Sequence, residues 1–436
     1  MVNCPINIMG ATSMLKNRIF NFTITSEENK NYYWELNWKL ALFQTLGLGL
    51  AMVYNMANMD KKIAAMAIVL ILISLAVNIY IPKVTKGDIF FVLIINMLYT
   101  IGLITIMRIN PATGYRHMIW YILSMIIGFI VYFILKKTSN FFRDKYIFFF
   151  LLTLATFIVT LVFGDRQAGA VNWIRISDGI TIQLSEFAKI SYIFLIASFY
   201  SNYEDIEKKK YGSYYLMIAS YIYIGFFFLQ GELGTAMIFF ALMIGSMFVF
   251  EERYLLVVIN VILAFIGLLL AYYLFNHIRI RFEIWLNPWD SYNDKGYQII
   301  QSLFAIASGG FFGSGIGLGR PDIVPVSTSD FIYASVVEEM GIFMGIFVIL
   351  LFILLVYKSF KLALMDEDIF YSSLAFSIGM VFAAQSIIMF GGVLKIIPLT
   401  GITTPFMSYG GSSLLSSFML FAILQLISSR DRLWKI

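Results

Sequence analysis

The feature that most restricts this chain is a series of twelve apolar runs. They fall at about 38–57, 63–81, 88–107, 117–135, 146–163, 185–200, 213–230, 232–250, 254–275, 331–357, 370–395 and 406–428. Each is close to the ~20 residues an α-helix needs to cross the hydrocarbon core of a bilayer. Of the 436 residues, 60% are hydrophobic and 13% charged, whereas a soluble domain carries about 45–50% and 25%. Too little polar surface remains to face water all round, so the chain is read as an all-α polytopic membrane protein. Residues 1–37 are polar and mixed in charge, without the apolar core of a cleavable signal peptide.

Basic residues set the expected orientation. With the N-terminus in the cytoplasm, nineteen of the 31 Lys and Arg fall on the inner side and eleven on the outer, while Lys189 lies within a span. Both termini are therefore expected to be cytoplasmic, including the tail at 431–436. Two long loops then face outward, 164–184 and 276–330. The second, about 55 residues with the glycine-rich run ASGGFFGSGIGLGRP, is longer than a plain connector needs to be.

Several chemistries are absent from the pattern. A single cysteine, Cys4, gives no internal disulfide framework, and two histidines, His117 and His277, form no zinc spacing. The net charge of +5 comes from scattered membrane-flanking residues rather than a nucleic-acid footprint. GSGIGLGRP lacks the GK[ST] of a phosphate loop and a preceding strand. Its glycines suit a tight fold, or a backbone running close to something else.

Charged residues cluster at the outer ends of the spans. Asp330 precedes an apolar helix, where Ser329 or Asp330 is also a standard N-cap. Glu338 and Glu339 lie about 12–14 Å further along, at 1.5 Å per residue, where a carboxylate is expensive unless paired or functional. They differ by about 100° around the helix, so both are not expected to face one partner. Glu186 and Lys189 are three apart and suit an intrahelical ion pair or a cavity lining. Arg279 and Arg281 alternate after a span, and Lys395 stands alone at the end of another. All three fit snorkelling, or recognition of a phosphate. Pro398, Gly401 and Pro405 break the chain before the last span, and irregular backbone at that depth must be buried or line a cavity. Together these features suit a lipid carrying a diphosphate, handled by an enzyme or by a transporter.

Six segments in order resemble the SEDS family, the FtsW/RodA/SpoVE group of bacterial cell-wall proteins. They are GAVNWI (169–174), QLSEFAKI (183–190), QGELGTA (230–236), KGYQIIQSLFAIASGG (295–310), SDFIYASVVEEMG (329–341) and PLTGITTPFMSYGGSS (398–413). The resemblance spans residues 88–430. It implies a ten-helix bundle, here preceded by a cytoplasmic segment at 1–37 and two extra helices within 38–87. It also implies a peptidoglycan glycosyltransferase that polymerises lipid II into β-1,4-linked strands and releases undecaprenyl diphosphate, in division, elongation or shape control. A class B penicillin-binding protein and other division or elongation proteins are the implied partners. Mg²⁺ or Mn²⁺ stays open as a cofactor.

The family's loop aspartate falls on Asp330, which the resemblance makes the general base. Arg279, Arg281, Lys189 and Lys395 become candidates for the diphosphate, with Glu186 beside them. Glu338, Glu339, Ser408 and Gln301 take supporting positions. The chain departs from the family pattern before the helix, where Val324-Pro325-Val326-Ser327-Thr328-Ser329 lacks the usual Glu and His. Asn172, Leu184 and Glu232 replace the usual Arg, Pro and Asp. Two other readings remain at this point: a flippase for a lipid-linked precursor, and a non-catalytic scaffold.

Overall fold

The computed structural model describes residues 26–55, 61–167, 170–177, 180–209, 212, 214–251, 253–292, 294 and 296–430. Cys4, Lys295 and the tail 431–436 lie outside them. Each of the twelve apolar runs is helical over most of its described residues. The helices are α1 (Ser26–Tyr54), α2 (Lys61–Thr85), α3 (Ile89–Ile109), α4 (Pro111–Phe142), α5 (Tyr146–Phe163), α6 (Leu184–Ser201), the short α7 (Tyr203–Glu207), α8 (Tyr214–Gln230), α9 (Leu233–Phe250) and α10 (Tyr254–Leu274). After the large loop come α13 (Ile332–Met365), α14 (Ile369–Val393) and α15 (Gly411–Arg430). Ten of the described helices are long and apolar enough to cross a membrane. Two further runs, α6 and α8, are also helical: α8 is shorter at 17 residues, and α6 carries the buried Glu186 and Lys189.

Local chemistry explains the main boundaries. Between α3 and α4 the chain reverses in one residue. Asn110 caps α4 by accepting from Thr113 N–H, and Pro111 occupies the first turn, where its missing N–H costs nothing. Asp88 and Asp368 cap α3 and α14 in the same way. Apolar side chains from α3, α6, α13, α14 and α15 form the centre of the bundle, while α10 buries only Asn260 and Ala271 along its length. Polar groups inside the bundle find one another: Gln44 donates to Ser74 and Thr100 at 2.8 Å each, and Tyr121 donates to Asn96 at 2.8 Å. Such bonds hold helices together where lipid offers no alternative partner.

The two long loops are built rather than loose. Residues 164–183 add a small sheet to the helical bundle, with β1 (Asp165–Gln167), β2 (Ala170–Ser177) and β3 (Ile180–Gln183) in antiparallel order. Between α10 and α13 the chain forms α11 (Asn276–Leu286), a 3-10 turn at Pro288–Ser291, α12 (Tyr297–Gly309) and a second turn at Pro321–Ile323. Both loops sit at the same end of the bundle. At the other end, ion pairs join helices instead: Lys358 with Asp88 at 2.6 Å, Arg143 with Asp368, and Arg430 with Asp366 at 3.6 Å.

Helix α13 is not continuous. Gly341 adopts φ 81° and ψ 171°, a conformation essentially confined to glycine, and breaks the helix two residues after Glu339. A Cβ at Gly341 would stand 2.3 Å from the carbonyl oxygen of Phe311. The glycine-rich loop therefore passes directly against the break.

Candidate functional site

Asp330 lies in a turn that the rest of the protein holds in place. Phe331 N–H closes the turn on Val326 O, and Val326 takes φ 56°, a left-handed angle that is strained for a β-branched residue. The segment between α14 and α15 then clamps it. Ser408 Oγ donates to Ser329 O at 2.7 Å and accepts from Thr404 N–H at 2.9 Å, and Tyr409 N–H donates to Thr328 O at 2.9 Å. The first helical residue after the turn is Ile332, and Phe331 stands at the cap position without a side-chain bond. Ser329 and Asp330 are thus not helix caps, because the turn is pinned from the side by Ser408 and Tyr409.

The carboxylate faces the same inter-helix segment. A Cβ on Gly401 would come within 3.4 Å of Asp330 Oδ2. Arg281 anchors α11 here, its Nη1 donating to Thr400 O at 2.9 Å and to Leu399 O at 3.3 Å. Trp285 adds a bond from Nε1 to Lys395 O at 3.1 Å. Burial pushes the Asp330 carboxyl above its ordinary pKa, while the Ser329 side chain and the Arg281 charge pull it back down. Asp330 and Arg281 feel each other's charge without forming an ion pair. Lys395 takes φ 58° and Phe406 φ 63° on the same segment. Val326 lies in the Asp330 turn and Phe406 on the stretch that clamps it, so their left-handed angles place backbone strain beside the carboxylate, a pattern found at functional sites.

The other candidates sort by distance from this cluster. Glu186 and Lys189 pair at 2.9 Å with both side chains buried. Ser416 donates to Glu186, Lys189 reaches Gln385 Oε1 at 3.5 Å, and Gln385 Nε2 donates to Thr403 O at 3.2 Å. The pair is therefore tied through Gln385 to the segment that faces Asp330, and Lys189 is not presented at the surface. Arg279 is exposed and turned toward Asn276 and Glu283, at 2.8 and 3.7 Å, and does not join the cluster. Gln301 is half-buried on α12, and its side chain makes no hydrogen bond among the described residues.

Glu338 and Glu339 meet the same partner after all, because the glycine loop folds across both. Arg320 N–H donates to Glu338 Oε1 at 2.6 Å and Gly317 N–H to Glu339 Oε1 at 3.1 Å. Arg108 pairs with Glu339 at 2.5 Å and donates to Gly319 O at 2.6 Å. The positive φ of Gly313 and Gly317, 84° and 91°, makes this close approach possible.

Sequence reasoning gave no site role to Arg108, Gln385 or Glu232. The carboxylate of Glu232 accepts from Gln183 at 2.7 Å, from Ser185 at 3.1 Å and from Thr235. The available signal was a polar residue inside or beside an apolar run, which is costly enough to imply a partner.

Fold and site together define a multi-pass membrane protein with a strained, acid-containing cluster at one end of its bundle. The family model described as "Cell cycle protein", FtsW/RodA/SpoVE, matches residues 88–433, and the chain belongs to that family. It is 34% identical over 361 residues to the peptidoglycan glycosyltransferase RodA of Mycobacterium leprae, covering 78% of this chain and 77% of the relative. It is 36% identical over 283 residues to the probable peptidoglycan glycosyltransferase FtsW of Bacillus subtilis, covering 61% and 68%. The fold matches a chain solved within a peptidoglycan synthase complex, with TM-score 0.66 and 22% identity over 79% of this chain and 98% of that one. It also matches RodA of Thermus thermophilus, with TM-score 0.57 and 20% identity over 80% and 99%.

Proposed function

We propose that this chain polymerises lipid II at the outer face of the cytoplasmic membrane, with Asp330 as the general base. The chain is a peptidoglycan glycosyltransferase of the FtsW/RodA/SpoVE family. The observation that carries the residue assignment is the placement of Asp330: a partly desolvated carboxylate, its turn clamped by Ser408, beside Arg281 and with no ion pair among the described residues. Lipid II is recognised by its disaccharide and by the diphosphate that links it to the lipid tail.

Asp330 takes the proton of the acceptor sugar hydroxyl as its oxygen bonds to the donor's anomeric carbon. The bond from that carbon to the diphosphate oxygen breaks, and undecaprenyl diphosphate leaves. An α-linked donor and a β-linked product require one inverting displacement, so no covalent intermediate on a second carboxylate is needed. Arg281, whose charge reaches Asp330, is the cation placed to meet the charge that builds on the leaving group. Glu186 and Lys189 shape the wall beneath it, through Gln385.

No group of three or more His, Cys, Asp or Glu side chains gathers among the described residues. Mg²⁺ needs only one or two carboxylates beside the substrate's phosphates, so Mg²⁺ or Mn²⁺ stays open as a cofactor, and no step here is routed through one. The basic-residue bias puts both termini in the cytoplasm and Asp330 outside. A class B penicillin-binding protein then crosslinks the strands that this chain makes.

The deciding experiment reconstitutes the full chain with its cognate transpeptidase in vesicles carrying fluorescent lipid II. Strands of several disaccharides with matching release of undecaprenyl diphosphate are expected. Lipid II that changes leaflet without forming strands would identify a transporter instead.

A further inference from the structure

The family model begins at residue 88 and leaves α1 and α2 without a role. Yet α1 is fitted closely to the core. Gln44, Leu48, Ala51 and Asn55 are all buried, spaced four, three and four apart, and so form one face of the helix. Gly47 meets Ile104 of α3 so closely that an added Cβ would stand 2.3 Å from its side chain.

The end of α1 reaches the glycine-rich loop. Asn55 Nδ2 donates at 3.1 Å each to the carbonyls of Met107 and Arg108, the last turn of α3. The Tyr54 ring lies 4.3 Å from the Arg108 guanidinium carbon, a cation–π distance. The same ring packs on Gly317, where a Cβ would come within 2.7 Å of it. Arg108 in turn holds Gly319 O and Glu339, and the loop binds back to α13. Ser314 N–H donates to Glu338 O at 2.9 Å and Gly315 N–H to Glu339 O at 3.0 Å. Ten residues after Arg320 the chain arrives at Asp330.

We propose that α1 is a positioning element for the polymerase site, in which Tyr54 and Asn55 hold Arg108 and the 313–320 loop so that Asp330 keeps its place above α13. This inference rests on the lipid II reading for its kinetic consequence, though its structural part does not. Tyr54 and Asn55 touch no substrate; they act through Arg108, Glu339 and the loop. A misplaced base costs turnover far more than it costs substrate binding. The Tyr54 hydroxyl makes no hydrogen bond among the described residues, so the ring is the working part.

The test compares wild type, Tyr54→Leu and Tyr54→Phe as full-length protein with the transpeptidase partner. Tyr54→Leu is expected to lower kcat about fivefold with KM for lipid II within about twofold, and Tyr54→Phe to restore wild-type turnover. Amide exchange over residues 313–320 is expected to speed up in Tyr54→Leu and not in Tyr54→Phe. Unchanged exchange in Tyr54→Leu overturns the proposal, whether or not the wild type polymerises lipid II. An effect on KM alone, or an equal loss in Tyr54→Phe, also overturns it. Should Tyr54→Leu not fold, Asn55→Ser, which removes the bonds to the two α3 carbonyls, carries the same two readouts. A wild type that makes no strands counts against the lipid II reading, and the exchange measurement still decides the clamp.

Discussion

Ser408 Oγ donates a hydrogen bond of 2.7 Å to the carbonyl of Ser329, the residue before Asp330. A hydroxyl 79 positions away thus fixes the turn that aims the carboxylate. One neutral hydrogen bond is worth about 0.5–1.5 kcal/mol. Ser408→Ala is therefore expected to reduce the rate of strand synthesis about three- to tenfold with little change in KM for lipid II. Steady-state polymerisation kinetics check this, and an unchanged kcat would show that Ser408 does not aim the base.

A second prediction concerns pH. Asp330 must be ionised to accept a proton, and burial raises its pKa above that of an ordinary aspartate. kcat/KM should fall as pH drops through this raised value, so the acid limb lies above the usual carboxyl range near ~4. Arg281 lowers the Asp330 pKa, so Arg281→Gln is expected to move the acid limb to still higher pH. A limb that moves down, or stays put, contradicts the proximity of the two groups.

The buried pair of Glu186 and Lys189 predicts a non-additive double mutant. Lys189→Met leaves Glu186 buried without its cation, and breaking such a pair costs about 3–5 kcal/mol. Lys189→Met/Glu186→Leu removes both charges, so its thermal midpoint in detergent should recover toward wild type. Strand synthesis should stay low in the double mutant if the pair and Gln385 shape the site. Full activity in the double mutant would reduce the pair to a structural one.

Gly341 makes a conformational prediction. Its φ of 81° and ψ of 171° are open essentially to glycine alone, and an added Cβ would meet Phe311 O at 2.3 Å. Gly341→Ala is expected to cost about 1–3 kcal/mol from backbone strain alone, and to loosen the glycine loop. Proton exchange at Gly313 and Gly315 would report that loosening. A variant as stable as wild type would mean that the break in α13 is not required.

The apolar runs gave the bundle away, because spanning helices need long stretches of one chemistry and little else. Asp330 could be picked out for the same reason, as a carboxylate at the edge of a run. Its surroundings could not. The bonds from Ser408 and Tyr409 join segments about 80 residues apart, and local sequence offers capping as the simpler account. Val-Val-Glu-Glu-Met-Gly reads as unbroken helix, so the turn at Gly341 that lets Glu338 and Glu339 share one loop was invisible. Arg108, at the end of an apolar run and without a nearby acidic residue in sequence, proved to be the partner of a glutamate 231 positions later. The short sheet at 165–183 lay hidden among polar residues with no strong alternation.

The most direct measurement compares wild type with Asp330→Asn, each purified with the cognate transpeptidase and given lipid II. The substitution keeps the size of the side chain and removes the base. Wild type is expected to make glycan strands and release undecaprenyl diphosphate, while Asp330→Asn binds lipid II and makes no strands. Equal strand synthesis by the two proteins would contradict the assignment of Asp330.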